Sequence, residues 1–446
     1  MAEYDGHWRG PWLGDIRTIA DGGDIERVHA HSGTYQMGRP AIVDQQTLTA
    51  LTHDIATVMA ALVKLPQILA DGDIRRFWTL LGYDQAKQDL IGIGHREDML
   101  GKIGRCDLFQ DASGFKLLEV NSSSAVGALD SRLLMDAYLR DQRFAEHVKE
   151  AGLSFIDPAQ SLGSALLATF PEVQAGPMVL LDHPDSYAVS HQVHDFLAAL
   201  LSSHGVETFS GSLGDVEVRG GQATCQGRPF ALAYRVFQGR ELTASVAELE
   251  HWSHLLRELD AVDVPMVLPL SSTSISDKRS LALLQSDLVQ PSLGADEREV
   301  VARMLPRSVI VSRGETFGCD EKGLDWLRVA QQETILKPCV SSSGKGIVYG
   351  RDLDRAEWET LIATPPAGGY VAQELVHPLA EAFPNKDGSE SMWQVQSEAF
   401  HVWGDVIPAS ARAMRFGYPG PMRSLFRGEQ EPPQDAAVGG LMLVAE

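Results

Sequence analysis

Apolar residues recur at helical spacing through much of the first hundred residues. Between Gln45 and Leu69 they occupy every third or fourth position, which is the stripe that an amphipathic helix buries. The positions that form this stripe are Leu48, Leu51, Ile55, Val58, Met59 and Leu62. Pro66 is expected to interrupt or end the helix, because proline lacks the backbone N–H that a helix interior needs. Ile74–Leu81 predicts a second, shorter helix, so residues 1–100 are predicted to be mostly helical.

The pattern changes to period two between residues 102 and 121. Alternation of apolar and polar residues is typical of a strand with one buried face. Here it predicts two strands, Lys102–Gln110 and Phe115–Asn121, on either side of the turn sequence Asp111-Ala112-Ser113-Gly114. We therefore expect a β-hairpin, followed by a return to helical spacing at Asp130–Leu139.

Residues 175–240 predict the start of a Rossmann-like βαβ unit. Met178–Asp182 has the continuous apolar character of a buried strand, and Val206–Phe209 is predicted as the second strand. Between them lies a helix whose apolar stripe ends just before Gly205, a residue suited to a helix C-terminal cap. The stripe consists of Val193, Phe196, Leu197, Leu200 and Leu201.

Strands and helices mix along the rest of the chain. The elements predicted there are a strand meander at Gly211–Phe237 that turns at Arg219-Gly220-Gly221, a helix at Leu242–Leu259, strands at Met266–Leu270, Arg307–Val311, Thr334–Val340 and Tyr370–Leu375, and a hairpin of Gln394–Val402 with Val406–Met414. This mixture predicts an α/β fold class with α+β character. Four segments are distinguished, at 1–100, 101–145, 175–270 and 271–446.

Composition narrows the class of protein. The chain has 446 residues, of which 44% are apolar and 22% charged, and this balance excludes a disordered protein. The formal charge of −22 argues against a nucleic-acid partner, because a polyanion binds phosphate backbones poorly. No CxxC pair, secretory signal pattern or apolar run near the roughly 18 residues of a membrane span is recognised. We therefore expect a reduced cytoplasmic protein without a membrane partner.

The predicted hairpin carries the most informative chemistry. If Ala112-Ser113-Gly114 is its loop, Asp107 faces Glu119 and Arg105 faces Asn121. Residues two apart share a strand face, so all four would lie together on one polar face. The opposite face would pair two apolar couples, Cys106 with Val120 and Leu108 with Leu118, and is expected to face the core.

This polar face suits a cation and a phosphate. Two carboxylates and an amide oxygen are hard oxygen ligands of the kind that Mg²⁺ prefers. A neighbouring arginine can clamp a phosphate or acyl-phosphate oxygen. The alternative interpretation is a solvated hairpin face with compensating charges, which is common on half-exposed strands.

A second candidate lies at Thr334–Gly350, where Lys337 on a strand precedes a loop rich in serine and glycine. Small residues let backbone N–H groups close over phosphates, and Lys337 could reach the phosphates from beneath. The loop residues are Ser341, Ser342, Ser343, Gly344, Lys345 and Gly346. The sequence is not a Walker loop, because Cys339 replaces the first glycine and Gly346 follows the lysine. A glycine-rich hairpin without a nucleotide is the alternative.

Two further segments complete the set. Lys278 follows Ser276 and Asp277, either of which can cap the apolar helical run after them, so the lysine lies at a helix start. The strand Tyr370–Val376 ends in Gln373-Glu374-Leu375-Val376, which offers backbone groups to an adenine edge and the Glu374 carboxylate to ribose hydroxyls. Each segment has an alternative interpretation when it is considered alone. Lys278 would be an exposed lysine in the first turn of a helix, and Tyr370–Val376 would be a buried strand.

The order of these pieces resembles the nucleotide site of the ATP-grasp superfamily. Linear members place a Glu-x-Asn metal motif after such elements, whereas Glu119-Val120-Asn121 comes before them here. That order is similar to the circularly permuted ATP-grasp ligases, which include glutathionylspermidine synthase and eukaryotic glutathione synthetase. Arg105-Cys106-Asp107 with Glu119-Val120-Asn121 looks like the Arg-x-Asp and Glu-x-Asn motifs of the glutathionylspermidine synthase branch. The resemblance covers about residues 100–135 and 270–415.

The resemblance implies an architecture and a set of site residues. It makes 101–145 a permuted metal-binding hairpin of the ATP-grasp core, 175–270 a Rossmann-like pre-ATP-grasp domain for substrate, and 271–446 the nucleotide-binding domain. The implied site residues are Asp107, Glu119 and Asn121 for Mg²⁺; Arg105 and Arg412 for phosphate, with Arg415 as competitor to Arg412; Lys278 and Lys337 for ATP phosphates; Ser341, Ser342, Ser343, Gly344 and Gly346 in the flap; and Gln373, Glu374 and Val376 for adenosine.

The implied activity is that of an ATP- and Mg²⁺-dependent carboxylate–amine ligase, which acts through an acyl phosphate on amino acids, small peptides or polyamines. A homodimer is the assembly considered for this protein. Two alternatives remain, a phosphotransferase on the same fold and a non-catalytic nucleotide-binding protein. The family's Ala-Asp-Thr-Pro-Thr after the asparagine is replaced here by Ser122-Ser123-Ser124-Ala125-Val126, so the identity of the substrate does not carry over.

Overall fold

Helices and strands of the computed structural model follow the predicted order. The structure describes residues 35–36, 39–40, 42–122, 132, 136, 138–313, 317, 321–339, 346–384, 387–394, 396–402, 411–415, 437–438 and 443–445. The helices in chain order are α1 (Gln45–Val63), α2 (Leu65–Ala70), α3 (Ile74–Leu80), α4 (Gln85–Ile91), α5 (Gln142–Glu150), α6 (Pro158–Thr169), α7 (Glu172–Ala175), α8 (Pro184–Ser203), α9 (Val246–Ala261), α10 (Thr273–Ser276), α11 (Lys278–Leu284), α12 (Ala295–Met304), α13 (Glu321–Val329) and α14 (Arg355–Ala363).

The strands are distributed over several sheets. In chain order they are β1 (Tyr35–Gln36), β2 (Ile42–Asp44), β3 (Ile103–Asp111), β4 (Gly114–Asn121), β5 (Leu153–Ser154), β6 (Met178–Asp182), β7 (Thr208–Ser212), β8 (Val216–Arg219), β9 (Gln222–Cys225), β10 (Arg228–Pro229), β11 (Leu232–Arg235), β12 (Met266–Val267), β13 (Ser308–Val311), β14 (Thr334–Pro338), β15 (Val348–Tyr349), β16 (Tyr370–Glu374), β17 (Ala380–Pro384), β18 (Glu390–Gln394), β19 (Gln396–Val402), β20 (Ala411–Arg415), β21 (Ala437–Val438) and β22 (Leu443–Ala445).

The helices before residue 100 pack their apolar stripe into the core. The Asp44 carboxylate caps α1 by accepting from the Thr47 backbone N–H. Pro66 lies in the first turn of α2, where its missing N–H leaves no helical bond unmade, so the predicted interruption is confirmed. Gln45–Ala70 is long and apolar enough to cross a membrane, by length and composition only, and half of its most apolar window is buried within the protein.

The predicted Rossmann-like unit forms a four-stranded parallel sheet in the order β12-β11-β6-β7. The boundaries of β6 are those predicted, whereas β7 begins at Thr208 rather than at Val206. The predicted single meander is wrong at both ends, because Gly211 belongs to β7 and β11 pairs with β6 in the parallel sheet. The turn at Gly220-Gly221 is confirmed, since both glycines adopt the positive φ that this tight turn requires.

The upstream hairpin and the late strands share one six-stranded sheet. Its order is β1-β21-β20-β19-β3-β4, so β3 lies between its hairpin partner β4 and the distant strand β19. The apolar side chains of Cys106, Leu108, Leu117 and Val120 are buried in the largest core cluster. A second, antiparallel sheet in the order β13-β16-β14-β15 carries Lys337 on β14 and Gln373 on β16.

A close approach of two backbones fixes the strand β15 that follows the serine-rich loop. At Gly350, a Cβ atom would lie 2.0 Å from the carbonyl oxygen of Gln331. Because this oxygen belongs to the backbone, it cannot move aside as the end of a flexible side chain could. The amide of the Gln331 side chain in turn donates to the Gly350 carbonyl at 3.0 Å. The connection therefore tolerates only glycine at this position.

We predict that Gly350→Ala lowers the free energy of unfolding by about 1–3 kcal/mol, the usual cost of forcing extra volume into a packed site. Gly239→Ala is the matched control, because a Cβ there meets only Leu270 Cδ2 at the ordinary contact distance of 3.6 Å. Urea unfolding of both variants measures the difference. Equal stability of the two variants would contradict the predicted clash.

Candidate functional site

The polar face of the hairpin has the predicted register. Asp107 lies opposite Glu119, and Arg105 lies opposite Asn121. Nearer the turn the prediction is wrong, because Leu108 pairs with Leu117 rather than Leu118 and Asp111 pairs with Gly114. The turn is thus one residue shorter than predicted, and a bulge at Leu118 supplies the missing residue. These two differences cancel, so the register at the polar residues is unchanged.

A third carboxylate joins this face from the late strand β19. Glu398 lies opposite Asp107 on the side away from Glu119, and its side chain is fully buried at 0% exposure. Glu119, Asp107 and Glu398 therefore form a line across three neighbouring strands, which we call the carboxylate row. On the next strand, the backbone of Arg412 lies opposite Glu398, whereas that of Arg415 lies opposite Gln396.

Sequence analysis missed Glu398. Its local signal is a glutamate next to a short buried stretch of β19, since Ala399, Phe400 and Val402 after it are buried apolar residues. That signal alone does not identify the strand with which β19 pairs, and the partner β3 lies far upstream in the chain. Without this pairing, no pattern in the sequence brings Glu398 next to Asp107.

Arg105 and Asn121 neutralise and orient the carboxylate row. Arg105 Nε lies 2.9 Å from Asp107 Oδ1 and 3.7 Å from Glu398 Oε1. The Asn121 amide, oriented by its neighbours, accepts from Arg105 Nη2 at 3.1 Å and donates to Glu119 Oε1 at 3.2 Å. Each residue of the predicted polar face thus contacts another member of the set.

Burial and like charges act on Asp107. Burial raises the pKa of its carboxyl, the Arg105 guanidinium lowers it, and the charges of Glu398 and Glu119 raise it again, with a net value of about 6. For Arg105 itself, burial lowers the pKa, but the charges of Asp107 and Glu398 outweigh burial and raise it overall. The row therefore holds more negative charge than Arg105 alone can offset, which favours a further cation at this place.

The two lysines predicted for phosphate contact the same hairpin from downstream segments. Lys278 Nζ lies 3.2 Å from Glu119 Oε1, across 159 residues of sequence. Lys337 Nζ donates to Gln373 Oε1 at 2.6 Å and to the Leu118 carbonyl at 3.4 Å, across 219 residues. The hairpin and the lysine-bearing strand, which are far apart in sequence, therefore meet in one place.

Lys337 has an altered acidity. Burial lowers the pKa of its amine to about 8, with the Lys278 charge acting in the same direction and the Glu119 charge opposing both. Its two hydrogen-bond acceptors, Gln373 Oε1 and the Leu118 carbonyl oxygen, are both neutral. Such an amine has a strong electrostatic preference for an anionic ligand.

The predicted adenosine contacts lie on two sides of β16. Gln373 is buried and holds Lys337. Glu374 and Val376 instead line a cavity of about 770 Å³ whose wall also contains Lys116 and Arg307. Glu374 Oε2 accepts from the Arg307 backbone N–H at 3.4 Å.

The flap is described only at its end. The predicted contacts Ser341, Ser342, Ser343 and Gly344 lie outside the described residues. Gly346 lies in the turn before β15 with a φ of +75°, and a Cβ there would lie 2.9 Å from Pro338 Cγ. Both the backbone angle and the close approach require glycine at this position.

Oxygen donors of the kind that bind a metal ion lie on the polar face of the hairpin. Within the described parts of the chain, no group of three or more His, Cys, Asp or Glu side chains is arranged to hold a metal ion. Glu119 and Asp107 instead face Lys278 and Arg105. The chemistry of the set nevertheless fits Mg²⁺, because the carboxylates of Asp107 and Glu119 and the amide of Asn121 lie on one face of the hairpin and are hard oxygen ligands.

No family model and no curated protein matches the sequence. Among solved structures, the chain is similar to a glutathione synthetase-like effector from Globodera pallida in its apo form, with a TM-score of 0.51 and 11% identity over 92% of this chain and 90% of the effector. A candidate gamma-glutamylcysteine synthetase from Methylobacillus flagellatus has a TM-score of 0.40 and 11% identity over 85% of each chain. The first likeness shows that this chain shares the overall fold of a glutathione synthetase-like protein.

The lowered pKa of Lys337 predicts a pH-dependent stability. Between the folded pKa of about 8 and the usual lysine pKa of 10.5, the unfolded chain retains a proton that the folded protein has released. Stability contributed by this residue therefore rises with pH in that window, and the cost of burying its charge is largest below pH 8. Wild type gains this stability above pH 8 and Lys337→Met does not. Relative to wild type, the free energy of unfolding of Lys337→Met is therefore expected to fall by about 1 kcal/mol for each pH unit above 8.

Urea unfolding at pH 7, 8 and 9.5 measures this trend. The exposed Lys322→Met serves as control, and its difference from wild type is expected to stay constant. A Lys337→Met difference that does not vary with pH would show that this lysine is not strained by burial.

Proposed function

We propose that this protein is an ATP- and Mg²⁺-dependent ligase that joins a carboxylate to an amine through an acyl phosphate, on a circularly permuted ATP-grasp fold. The meeting of Glu119 with Lys278 at 3.2 Å carries this proposal. This contact brings oxygen atoms of the kind that bind Mg²⁺, on the hairpin, next to lysines of the kind that bind phosphate, on a later segment. A nucleotide with its cation needs both. The shared fold with a glutathione synthetase-like protein supports the proposal.

The basic residues take the phosphates in this proposal. Lys278 contacts Glu119, Lys337 contacts the neighbouring Leu118 carbonyl, and both would contact the ATP phosphates as point charges. Arg105 would contact the transferred phosphoryl group. Arg412 is assigned to the γ-phosphate in preference to Arg415, because its backbone lies opposite Glu398 in the carboxylate row.

The oxygen ligands take the cation. Asp107, Glu119 and Asn121 would hold Mg²⁺, and Glu398 is added to them because it lies opposite Asp107. When bound, the ion would neutralise the charge that develops on the phosphate oxygens during transfer. The pairs formed by Arg105 and Lys278 hold these carboxylates in place for it.

The nucleoside and the flap complete the site. Gln373, Glu374 and Val376 would line the adenosine end, with Gln373 also holding Lys337 in position. Ser341, Ser342, Ser343, Gly344 and Gly346 would supply backbone N–H groups over the phosphates. Closure of this flap would exclude water, which would otherwise hydrolyse an acyl phosphate.

The chemistry then needs two displacements. A carboxylate oxygen of the first substrate attacks the γ-phosphorus of ATP, the bond to the β,γ-bridging oxygen breaks, and ADP leaves. The nitrogen of a neutral amine attacks the acyl carbon, the bond to the phosphate oxygen breaks, and inorganic phosphate leaves with a proton passing from nitrogen to solvent. The protein's own residues position the groups and balance charge, and no covalent enzyme intermediate is required.

The substrate class follows from the fold neighbour. That neighbour is described as glutathione synthetase-like, so we propose amino acids or small peptides, with polyamines as further amine acceptors. The serines that follow Asn121 lie at the position where family members carry a different segment. The two substrates are therefore assigned by class and not by name.

The test follows ADP release from ATP and Mg²⁺ with pooled carboxylates, with pooled amines, and with both together. A ligase releases ADP at its full rate and forms a condensed mass only when both pools are present. Steady ADP release with one pool and a phosphorylated product would replace the ligase by a phosphotransferase. ATP binding without turnover in any pool would leave a non-catalytic nucleotide-binding protein.

Two substitutions test the residues. Glu119→Gln and Lys337→Ala are each expected to lower ADP release by at least roughly 100-fold, the usual effect of removing one group that stabilises transition-state charge. Circular dichroism should show unchanged secondary structure in both. Glu97→Gln, an exposed carboxylate upstream of the hairpin, serves as control and should keep wild-type turnover. Turnover by Glu119→Gln at the wild-type rate would remove the hairpin from the active site.

A further inference from the structure

A tyrosine of the N-terminal helical region reaches the segment that carries Lys278. Tyr83, between α3 and α4, donates from its hydroxyl to Asp277 Oδ2 at 2.8 Å, across 194 residues of sequence. Both residues are buried, with 4% and 3% exposure. This contact ties the helices before residue 100 to the helix start that we assign to the nucleotide site.

The acceptor capacity of Asp277 is fully used. Its Oδ1 accepts from the Arg279 backbone N–H and from Arg279 Nε, each at 3.0 Å. Its Oδ2 accepts from Arg279 Nη2 at 2.8 Å and from the Tyr83 hydroxyl. Four donors on two oxygens leave the carboxylate one orientation. Because Asp277 caps α11, this orientation also fixes the first turn of that helix.

In the sequence, Lys278 lies between Asp277 and Arg279, two of the three residues of this network. Its backbone follows the cap directly, and its backbone N–H donates to the Cys339 carbonyl at 3.4 Å, just before the flap. Its side chain extends to Glu119. A shift of the Asp277 carboxylate would therefore move the Lys278 amine relative to both the carboxylate row and the base of the flap.

A buried network of this kind is poorly explained by stability alone. Removing two charges and a phenol from water is costly, and buried ion pairs are often no more stabilising than apolar residues of similar size. The Tyr83 ring is also covered by the Lys87 ammonium at 3.3 Å from its centroid. Such groups can instead fix a geometry, and here the fixed geometry is that of the helix start that carries Lys278.

We propose that Tyr83 is a positioning residue that acts through Asp277 to hold Lys278 against Glu119, which makes the N-terminal helices part of the nucleotide site. The inference rests on the proposed function, because it assigns Lys278 to the ATP phosphates. Tyr83 itself contacts no substrate in this arrangement. It determines the position of the Lys278 amine.

A double-mutant cycle tests this action through Lys278. Tyr83→Phe removes only the hydroxyl and is expected to weaken Mg·ATP binding by about tenfold, measured by isothermal titration calorimetry on the full chain. In the Lys278→Ala background the same change should have no further effect, because the residue that it positions is absent. An equal loss of affinity in both backgrounds would overturn the proposal.

Tyr187→Phe is the matched control for stability. Its hydroxyl also forms a 2.8 Å hydrogen bond, to Ser210 on strand β7 of the parallel sheet. Both tyrosine variants are expected to lose a similar few degrees of melting temperature, whereas only Tyr83→Phe should lose affinity for Mg·ATP. Similar losses of affinity in the two variants would reduce Tyr83 to a structural role.

A second measurement separates this inference from the proposed function. Lysine acetylation by an activated ester, followed by mass spectrometry, reports how accessible the Lys278 amine is without any nucleotide. Tyr83→Phe should raise the labelling rate of Lys278 at least threefold, and Tyr187→Phe should leave it unchanged. A labelling rate that Tyr83→Phe does not alter refutes the positioning role even if the protein binds ATP. Faster labelling in a protein that does not bind ATP keeps the positioning role and removes the nucleotide assignment.

Discussion

The ion pair between Glu119 and Lys278 is the contact on which the candidate site depends. It closes a loop of 159 residues and brings the upstream hairpin against the segment that leads to the flap. A charge in a buried place must be paired, because the cost of leaving it alone exceeds most other single contributions to stability. The carboxylate row and the cations Arg105 and Lys278 therefore compensate one another's charge.

The sheet explains how these groups come together. Strand β3 lies between β4 and β19, so a residue on β3 has one neighbour from its own hairpin and another from the last third of the chain. Asp107 occupies that central position, with Glu119 on one side and Glu398 on the other. The antiparallel sheet that carries Lys337 then approaches the hairpin at Leu118. Asp107, Glu119, Glu398 and Lys337 are therefore each placed by a β-strand.

Local patterns predicted the elements but not every contact between them. Period-two alternation found both strands of the hairpin, and the polar register was right although the turn and the bulge at Leu118 were each missed, since the two errors compensate. Glu398 and Tyr83 could not be predicted in this way. Their contacts with Asp107 and Asp277 arise from the packing of segments that are distant in sequence. The periodicity within a single strand or helix does not indicate which distant segments pack together.

The internal pairing of the site also bears on what it would accept under the proposed function. A lone anion would have to draw Lys278 away from Glu119 and would leave that carboxylate with less compensation. A lone cation would compete with Arg105 and Lys278 for the same oxygens. A nucleotide that arrives with its metal ion brings both charges at once, so the carboxylates exchange a lysine for a cation while the lysines exchange a carboxylate for phosphates. Each buried charge keeps a partner throughout this exchange, which favours the complex over either ion alone.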